Sequence, residues 1–347
     1  MRALLVNLGR VALSLGLLAW LVHDLRSADP RTFAALLAEP KRWPLLVAGW
    51  ACFLLALGAG LARWQLLARA VGLACRPAEA LRIGVLAYTL DFVALGAAGG
   101  DLFKALSLRR VHGGRGVHAL TTVVADRLVG LGTLVVVAGT AAFFLGATAL
   151  PGAVPLLSRL VTGLALAAVV GAAALGLLRR HARALQAQAL RLPVVGGHLA
   201  NLLDAVSLYG SNPGTLARAA ILGFAVHGLN IAGFALLAHG LSPAAPGLAA
   251  HCLIVPLASL SGIVPLPADT LGVLDYALNL LYAHVSAGQA PAGLGLLVAM
   301  TYRVVGVALS SVGIVLYLAA PGVVRETMRR AARGEGGPAP ANSPPRP

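Results

Sequence analysis

Long apolar runs dominate the sequence, and they constrain the fold more than any other feature. A helix needs about 20 apolar residues to cross the roughly 30 Å hydrocarbon layer of a membrane. Helices are the expected element, because open strands would leave backbone groups unsatisfied in lipid. The apolar runs lie at residues 4–22, 44–62, 83–99, 119–147, 156–178, 219–239, 250–266, 270–286 and 292–320. We therefore predict an all-α polytopic membrane protein.

Composition excludes several other classes of protein. Hydrophobic residues make up 59% of the 347 residues and charged residues only 11%, whereas soluble domains carry about 25% charged residues. A soluble enzyme, a nucleic-acid-binding domain and a disulfide-rich secreted domain are excluded on this ground. The formal charge of +15 arises from basic residues beside the apolar runs, where such residues set topology and meet anionic head groups. The predicted partners are membrane lipids and not nucleic acid.

The positions of the basic residues predict how the chain crosses the membrane. Basic residues concentrate in cytoplasmic loops, and segments 63–82 and 100–118 are both rich in them. A full crossing by the run 83–99 would place these two segments on opposite sides. A re-entrant helix that enters from the cytoplasm and returns removes this conflict, and an ordinary short span is the alternative. The same rule predicts both termini in the cytoplasm, and we expect the protein in the cell (inner) membrane.

A second interrupted segment lies at 250–291. The stretch 240–291 contains no Lys or Arg, so it is predicted to begin and end outside, yet it holds two apolar halves separated by 265–270. Interrupted segments at corresponding places in two halves indicate an inverted-repeat transporter. We predict about six full transmembrane helices plus two interrupted or re-entrant segments in such an architecture. One membrane domain is expected over residues 1–330, followed by a disordered cytoplasmic tail at 331–347.

Arg303 is the most informative polar residue within a span. It lies about 11 residues from the outer end of its run, or roughly 16 Å deep at 1.5 Å per residue. A guanidinium group matches phosphate bidentately, so Arg303 could bind an anionic head group, with the Tyr302 hydroxyl sharing the ligand. Arg303 could equally form a buried ion pair, for which the candidate partners are Asp91, Asp126, Asp269 and Asp275.

Two further places combine charge with apolar surroundings. Asp126 and Arg127 are adjacent on one helix and point about 100° apart, so each needs a partner on another helix. A structural role for them is favoured over a coupling role. His227 lies within the run 219–239, where hydrogen bonding between helices is favoured over proton coupling.

The segment from Gly99 to Lys104 has two readings. Asp101 follows Gly99 and Gly100 and fits the N-cap of a helix. The same helix start, with Lys104 one turn on, could instead hold a lipid phosphate. No nucleophile with a base, paired carboxylates or metal-ligand spacing is evident in the sequence, so we predict no enzyme activity, no cofactor and no metal.

Four motifs resemble those of the lysylphosphatidylglycerol synthase transmembrane-domain family, the flippase-like integral membrane proteins. Residues 99–105 resemble its Gly-Gly-Asp-x-x-Arg/Lys-Ala element, and residues 126–131 resemble its acidic-Arg-Leu-x-Gly element. Residues 267–275 are similar to its Pro-x-Gly-Gly-x-Gly-x-x-Glu element, with Asp269-Thr270 in place of the paired glycines and Asp275 in place of Glu. Tyr302-Arg303 matches the Tyr-Arg of the last helix.

The resemblance implies movement or handling of a lipid that has a polar head group. Larger family members add a soluble aminoacyl-transferase domain, and we expect this chain to be a stand-alone member without that activity. The implied lipid is anionic or isoprenoid-derived. The alternative is a non-catalytic membrane subunit that presents a lipid or an isoprenoid or hopanoid substrate to a separate biosynthetic enzyme.

Overall fold

Every regular element in the described part of the chain is a helix. The computed structural model describes residues 23, 30–73, 75–91, 97–111, 116–145, 154–189, 209, 212–263, 273–285 and 290–319. The helices in these ranges are α1 (Pro30–Ala38), α2 (Trp43–Ala70), α3 (Pro77–Leu90), α4 (Ala97–Val111), α5 (Gly116–Phe144), α6 (Val154–Ala189), α7 (Pro213–Leu241), α8 (Leu248–Ser259), α9 (Val273–Val285) and α10 (Leu294–Ala319). A 3₁₀ turn, Leu260–Ile263, continues α8.

Four of the described helices are long and apolar enough to cross a membrane, namely α2, α5, α7 and α10. The predicted span 156–178 lies within α6 (Val154–Ala189), in which Pro155–Gly171 is the apolar stretch among the fully described residues. The predicted span 4–22, Asp269 and the tail 331–347 lie outside the described residues. The all-helical membrane fold is therefore confirmed, and the number of six full spans stays a prediction.

Two helices extend into segments that the sequence analysis treated as loops. Helix α2 continues past residue 62 to Ala70, and α6 continues past residue 178 to Ala189. The loop 23–43 also contains a short helix, α1. Charged residues end an apolar run without ending a helix, because Arg, Gln, Leu and Ala are all good helix formers. Arg63 and Arg69 consequently lie on α2 and not in a loop.

The ends of the long helices follow local rules. Proline occupies the first turn of α2, α3 and α7. Amides in the first turn have no partner within the helix, so the N–H that proline lacks costs no helical hydrogen bond. The side chain of Asn212 accepts a hydrogen bond from the Thr215 amide and caps α7. After α2, Gly72 adopts a φ of 76°, which reverses the chain at low steric cost and leads it into α3.

Helices α2 and α7 pack antiparallel through small residues. Gly240 faces Leu46 near the start of α2, Gly233 faces Phe53, and Gly60 faces Val226 farther along. A Cβ atom on Gly233 would approach the Phe53 ring to 2.8 Å. Glycine at such positions lets helix backbones approach closely, so these two helices form the central pair of the bundle.

The same order of elements occurs twice. The first half has a long helix (α2), a pair of short helices (α3 and α4) and a second long helix (α5). The second half repeats this order with α7, the pair α8 and α9, and α10. Each short pair packs against the long helix that follows it, and its first member also packs against the other half: α3 against α10 and α8 against α5. This arrangement brings polar residues of both halves toward the α2–α7 pair.

Candidate functional site

A cavity of about 310 Å³ lies between helices of both halves. Its walls come from α2, α3, α4, α5, α7 and α10, and much of the lining is apolar, with Phe53, Leu57 and Val226 among its residues. The polar lining residues are Arg63, Tyr88, Lys104, Asp126, Arg127, Asn230 and Tyr302. Three of these side chains are cationic and one is a carboxylate, so the lining carries an excess of positive charge suited to an anionic group.

Arg63 and Asp126 form an ion pair across one wall of the cavity. The Nε atom of Arg63 on α2 donates to Oδ1 of Asp126 on α5 over 2.7 Å, with 10% and 13% of the two side chains exposed. The guanidinium group lies over Gly130, where a Cβ would come within 3.0 Å of Nη2. Sequence reasoning missed Arg63 because it ended the span at residue 62. The available signal was the absence of Gly or Pro from Arg63 to Ala70.

Arg127 points to a different helix from its neighbour Asp126. Its Nε atom donates to Oδ2 of Asp101 on α4 over 2.7 Å, and 54% of the Arg127 side chain is exposed. Asp126 and Arg127 therefore each have a partner on another helix, as their adjacency requires. Asp101 is a mid-helix residue, since α4 begins at Ala97, so its expected N-cap role is wrong.

Lys104 presents an ammonium group that is loosely held by its neighbours. Its Nζ atom is 3.9 Å from Oδ1 of Asp101, which is beyond hydrogen-bond distance. The same atom lies 5.8 Å from the centre of the Trp64 ring, within the range of a cation–π contact. Lys104 lines the cavity, so it can donate to a bound anion without first breaking a short ion pair.

A hydrogen bond between Asp91 and Gly100 joins the two helices of the first short pair. Oδ1 of Asp91, at the end of α3, accepts a hydrogen bond of 2.7 Å from the Gly100 amide. That amide is one of the first four in α4, which have no partner within the helix. A Cβ on Gly100 would overlap the Ala87 carbonyl oxygen and the Asp91 carboxylate. Gly100 thus allows the close packing of this pair, and Gly99 beside it is also buried. Because the Gly100 amide already donates to Asp91, it is not available to a lipid phosphate at this helix start.

Arg303 forms the most buried ion pair among the described residues. Its Nε and Nη2 atoms donate to Oδ1 and Oδ2 of Asp275 over 3.0 and 2.5 Å. Only 10% of the Arg303 side chain and 1% of the Asp275 side chain are exposed. Among the four acidic partners considered for Arg303, the structure thus shows Asp275. Arg303 is also absent from the described lining of the cavity.

Tyr302, on α10 of the second half, is part of the cavity lining. Its ring packs against Phe53 and Phe234 at centroid distances of 4.7 and 5.0 Å. His227 has a different role: its Nε2 atom lies 3.1 Å from the Gly130 carbonyl oxygen. This contact links α7 to α5, which is the helix–helix hydrogen bond expected of it.

The ion pairs of the two halves correspond. Asp101 lies in the second short helix of the first pair and contacts Arg127 on the next long helix. Asp275 lies in the second short helix of the second pair and contacts Arg303 on the next long helix. The pairs span 26 and 28 residues. Their burial differs, because Arg127 is half-exposed whereas Asp275 and Arg303 are enclosed.

The fold and the charged cavity define an integral membrane protein, and comparison with known proteins supplies its family. A family model described as Lysylphosphatidylglycerol synthase TM region matches residues 7–317. The chain belongs to this family, and the resemblance based on the four motifs is confirmed. No curated protein matches the chain.

Proposed function

We propose that the protein moves an amphiphilic lipid with an anionic head group between the two leaflets of the cell (inner) membrane, without catalysing a reaction. The observation that carries this proposal is the cavity lining, with three cationic side chains and one carboxylate between apolar walls. Charge-assisted hydrogen bonds from Lys and Arg are the strong contacts to phosphate groups. The cavity is close to the lower limit of small-molecule sites, about 300 Å³, so it fits a head group while the acyl chains stay in the bilayer.

The short helices support an inverted-repeat, re-entrant architecture. At 1.5 Å per residue, the 14 residues of α3 and the 13 of α9 reach only about 20 Å, less than the roughly 30 Å of hydrocarbon. We therefore infer that each short pair enters and leaves on one side. The antiparallel packing of α2 and α7 supports two halves related by an axis in the membrane plane. The basic residues of segments 63–82 and 100–118 favour entry of the first pair from the cytoplasm, so we expect the second pair to enter from outside and both termini to lie in the cytoplasm.

The unequal ion pairs support alternating access of the head group. Arg127 lines the cavity and 54% of its side chain is exposed, so a phosphate can compete with Asp101 for it. The Arg303–Asp275 pair is enclosed and holds the second half shut. Movement of the head group then exchanges the two arrangements: the first pair becomes enclosed and the second becomes accessible. Arg303 and Tyr302 would contact the head group in that second arrangement.

Reconstituted vesicles test the proposal. The rate at which a head-group-labelled phosphatidylglycerol becomes accessible from outside reports its movement between leaflets. Wild-type protein should accelerate this movement, and Lys104→Gln should slow it on the order of tenfold, since a hydrogen bond to a charged group is worth about 1.5–3 kcal/mol. Arg159→Gln, an exposed cation on α6 away from the cavity, is the matched control.

Two results would contradict lipid movement. Protein that retains phosphatidylglycerol through purification but does not accelerate its movement would favour the subunit that presents lipid to a separate enzyme. Equal rates for wild type and protein-free vesicles would reject lipid movement altogether, whereas a Lys104→Gln rate equal to an accelerated wild-type rate would remove Lys104 of the cavity from the mechanism.

A further inference from the structure

A groove of about 440 Å³ lies on the outer surface of the α2–α7 pair, at the end where α2 finishes and α7 starts. Arg69 is one residue from the end of α2, and Arg218 is in the second turn of α7. Both side chains line the groove and both residues are exposed. The rest of the lining is Gln65 and the apolar side chains of Ala62, Leu66, Ile221 and Leu222.

The groove combines two features that a phospholipid requires. Its two cations stand at the ends of the helices, at the level of lipid head groups, and its apolar residues continue along the same helices. Polar residues other than the arginines are limited to Gln65 among the described lining residues. Two guanidinium groups match a phosphate diester by charge and by geometry, and the apolar part matches an acyl chain.

The groove and the cavity are lined by neighbouring residues of the same two helices. Ala62 lines the groove, whereas its neighbours Leu61 and Arg63 line the cavity. On α7, Leu222 lines the groove and Val226, one helical turn farther, lines the cavity. At the edge of the cavity, the lining residue Gly60 leaves space: a Cβ there would meet only Val226, at 4.0 Å. A group that leaves the groove along the α2–α7 interface reaches the cavity past Gly60.

We infer that this groove is a docking site for a membrane lipid whose head group carries a phosphate, and that it is the lateral entrance to the cavity. The docked lipid places its phosphate between Arg69 and Arg218. The use of the site as an entrance depends on the proposed function, whereas lipid docking at the groove does not.

Native mass spectrometry of the full chain, purified from nanodiscs of phosphatidylcholine with added phosphatidylglycerol, tests docking. The Arg69→Gln/Arg218→Gln variant should retain fewer phosphatidylglycerol molecules than wild type, with an apparent affinity lower on the order of tenfold. The variant Arg82→Gln/Arg159→Gln removes two exposed cations elsewhere and should match wild type. Equal retention by all three proteins overturns the docking site. Competition by soluble glycerol phosphate would also overturn it, because it would show a site for free phosphate.

The entrance is tested by filling the passage. Gly60→Leu should abolish lipid movement while the groove keeps its lipid, and Gly58→Leu is the control, since a Cβ on Gly58 meets nothing within 4 Å. Val226→Phe fills the same passage from α7 and covers the case in which Gly60→Leu fails to fold. Normal movement in a folded passage variant overturns the entrance. The two proposals can fail separately. If Arg69→Gln/Arg218→Gln retains less lipid but wild-type protein moves none between leaflets, the docking site stands and the proposed function is rejected.

Discussion

Arginine side chains contact carboxylates at three places in the described residues, and their burial determines what each contact contributes. An enclosed pair such as Arg303–Asp275 costs desolvation energy that its hydrogen bonds must offset. The Arg127–Asp101 pair is more exposed, at 54% and 20% of the two side chains, and exposed pairs contribute only about 0–1 kcal/mol. The first arrangement holds helices together, and the second can be exchanged for a ligand at little cost.

Removing one partner of the enclosed pair should therefore destabilise the protein. Arg303→Gln leaves the Asp275 carboxylate buried without its cation, which we expect to cost about 3–5 kcal/mol. Arg127→Gln, the matched change at the half-exposed pair, should cost about 1 kcal/mol or less. Thermal unfolding in detergent measures both changes, and equal shifts in the two midpoints would contradict the assigned roles.

Arg303→Lys and the double variant separate pairing from lipid binding at Arg303. Lys keeps the charge but loses the bidentate fork, so Arg303→Lys should insert normally and move lipid more slowly. Arg303→Gln/Asp275→Asn removes both charges and should regain stability over Arg303→Gln while lipid movement stays low. A stable double variant that moves lipid at the wild-type rate would show that Arg303 serves only as the partner of Asp275.

Lys104 is the residue whose chemistry is easiest to isolate, because no short ion pair depends on it. Lys104→Gln should lower the amount of phosphatidylglycerol that remains bound after purification, and Lys104→Arg should restore most of it. Mass spectrometry of the extracted lipid measures this amount. Full retention by Lys104→Gln would place the bound phosphate away from Lys104, either elsewhere in the cavity or in the groove at Arg69 and Arg218.

At the scale of elements, the first short pair depends on a single backbone position. Gly100→Ala should separate α3 from α4, because the added Cβ overlaps the Ala87 carbonyl oxygen and the Asp91 carboxylate. Gly132→Ala, in α5, meets nothing within 4 Å and should be neutral or stabilising by up to about 1 kcal/mol. Thermal unfolding compares them, and an unchanged midpoint for Gly100→Ala would show that the pair can open without loss.

The sequence predicted the positions of the long helices because apolar runs are a local signal. The cores of α2, α5, α7 and α10 all lie within predicted runs. The ends of the helices were harder to predict from sequence, because Arg63 ends the apolar run whereas α2 continues to Ala70. The partner of Arg303 could not be chosen from sequence either, because four carboxylates were compatible with its depth. Selecting Asp275 requires knowing that α9 packs against α10, which is a tertiary contact.

At the scale of the whole molecule, the two halves share an order of long and short helices but differ in how deeply their Asp–Arg pairs are buried. Each half contains a long helix, a short pair and a second long helix, with α6 between the two halves, and each has an Asp–Arg contact between the short pair and the following helix. One contact is half-exposed and the other enclosed. In the proposed alternating-access mechanism, this asymmetry corresponds to one of two related states of the molecule, and the other state exchanges the two contacts.

The opposite entry of the two short pairs is the prediction that tests this architecture. Single cysteines at Ala78 and Arg109 lie near the outer ends of α3 and α4, and at Ala249 and Ala283 near those of α8 and α9. In a background that lacks Cys52, Cys75 and Cys252, a membrane-impermeant maleimide added to intact cells should label positions 249 and 283 alone.

Positions 78 and 109 should react only after the cells are opened, because both ends of the first pair face the cytoplasm. If either short pair made a single crossing of the membrane, its two positions would label from opposite sides. Labelling of position 78 from one side and of position 109 from the other would therefore reject the re-entrant first pair, and the same split at positions 249 and 283 would reject the second. Labelling of all four positions from one side would keep both pairs re-entrant but remove the inversion between the halves, and with it the structural basis for alternating access.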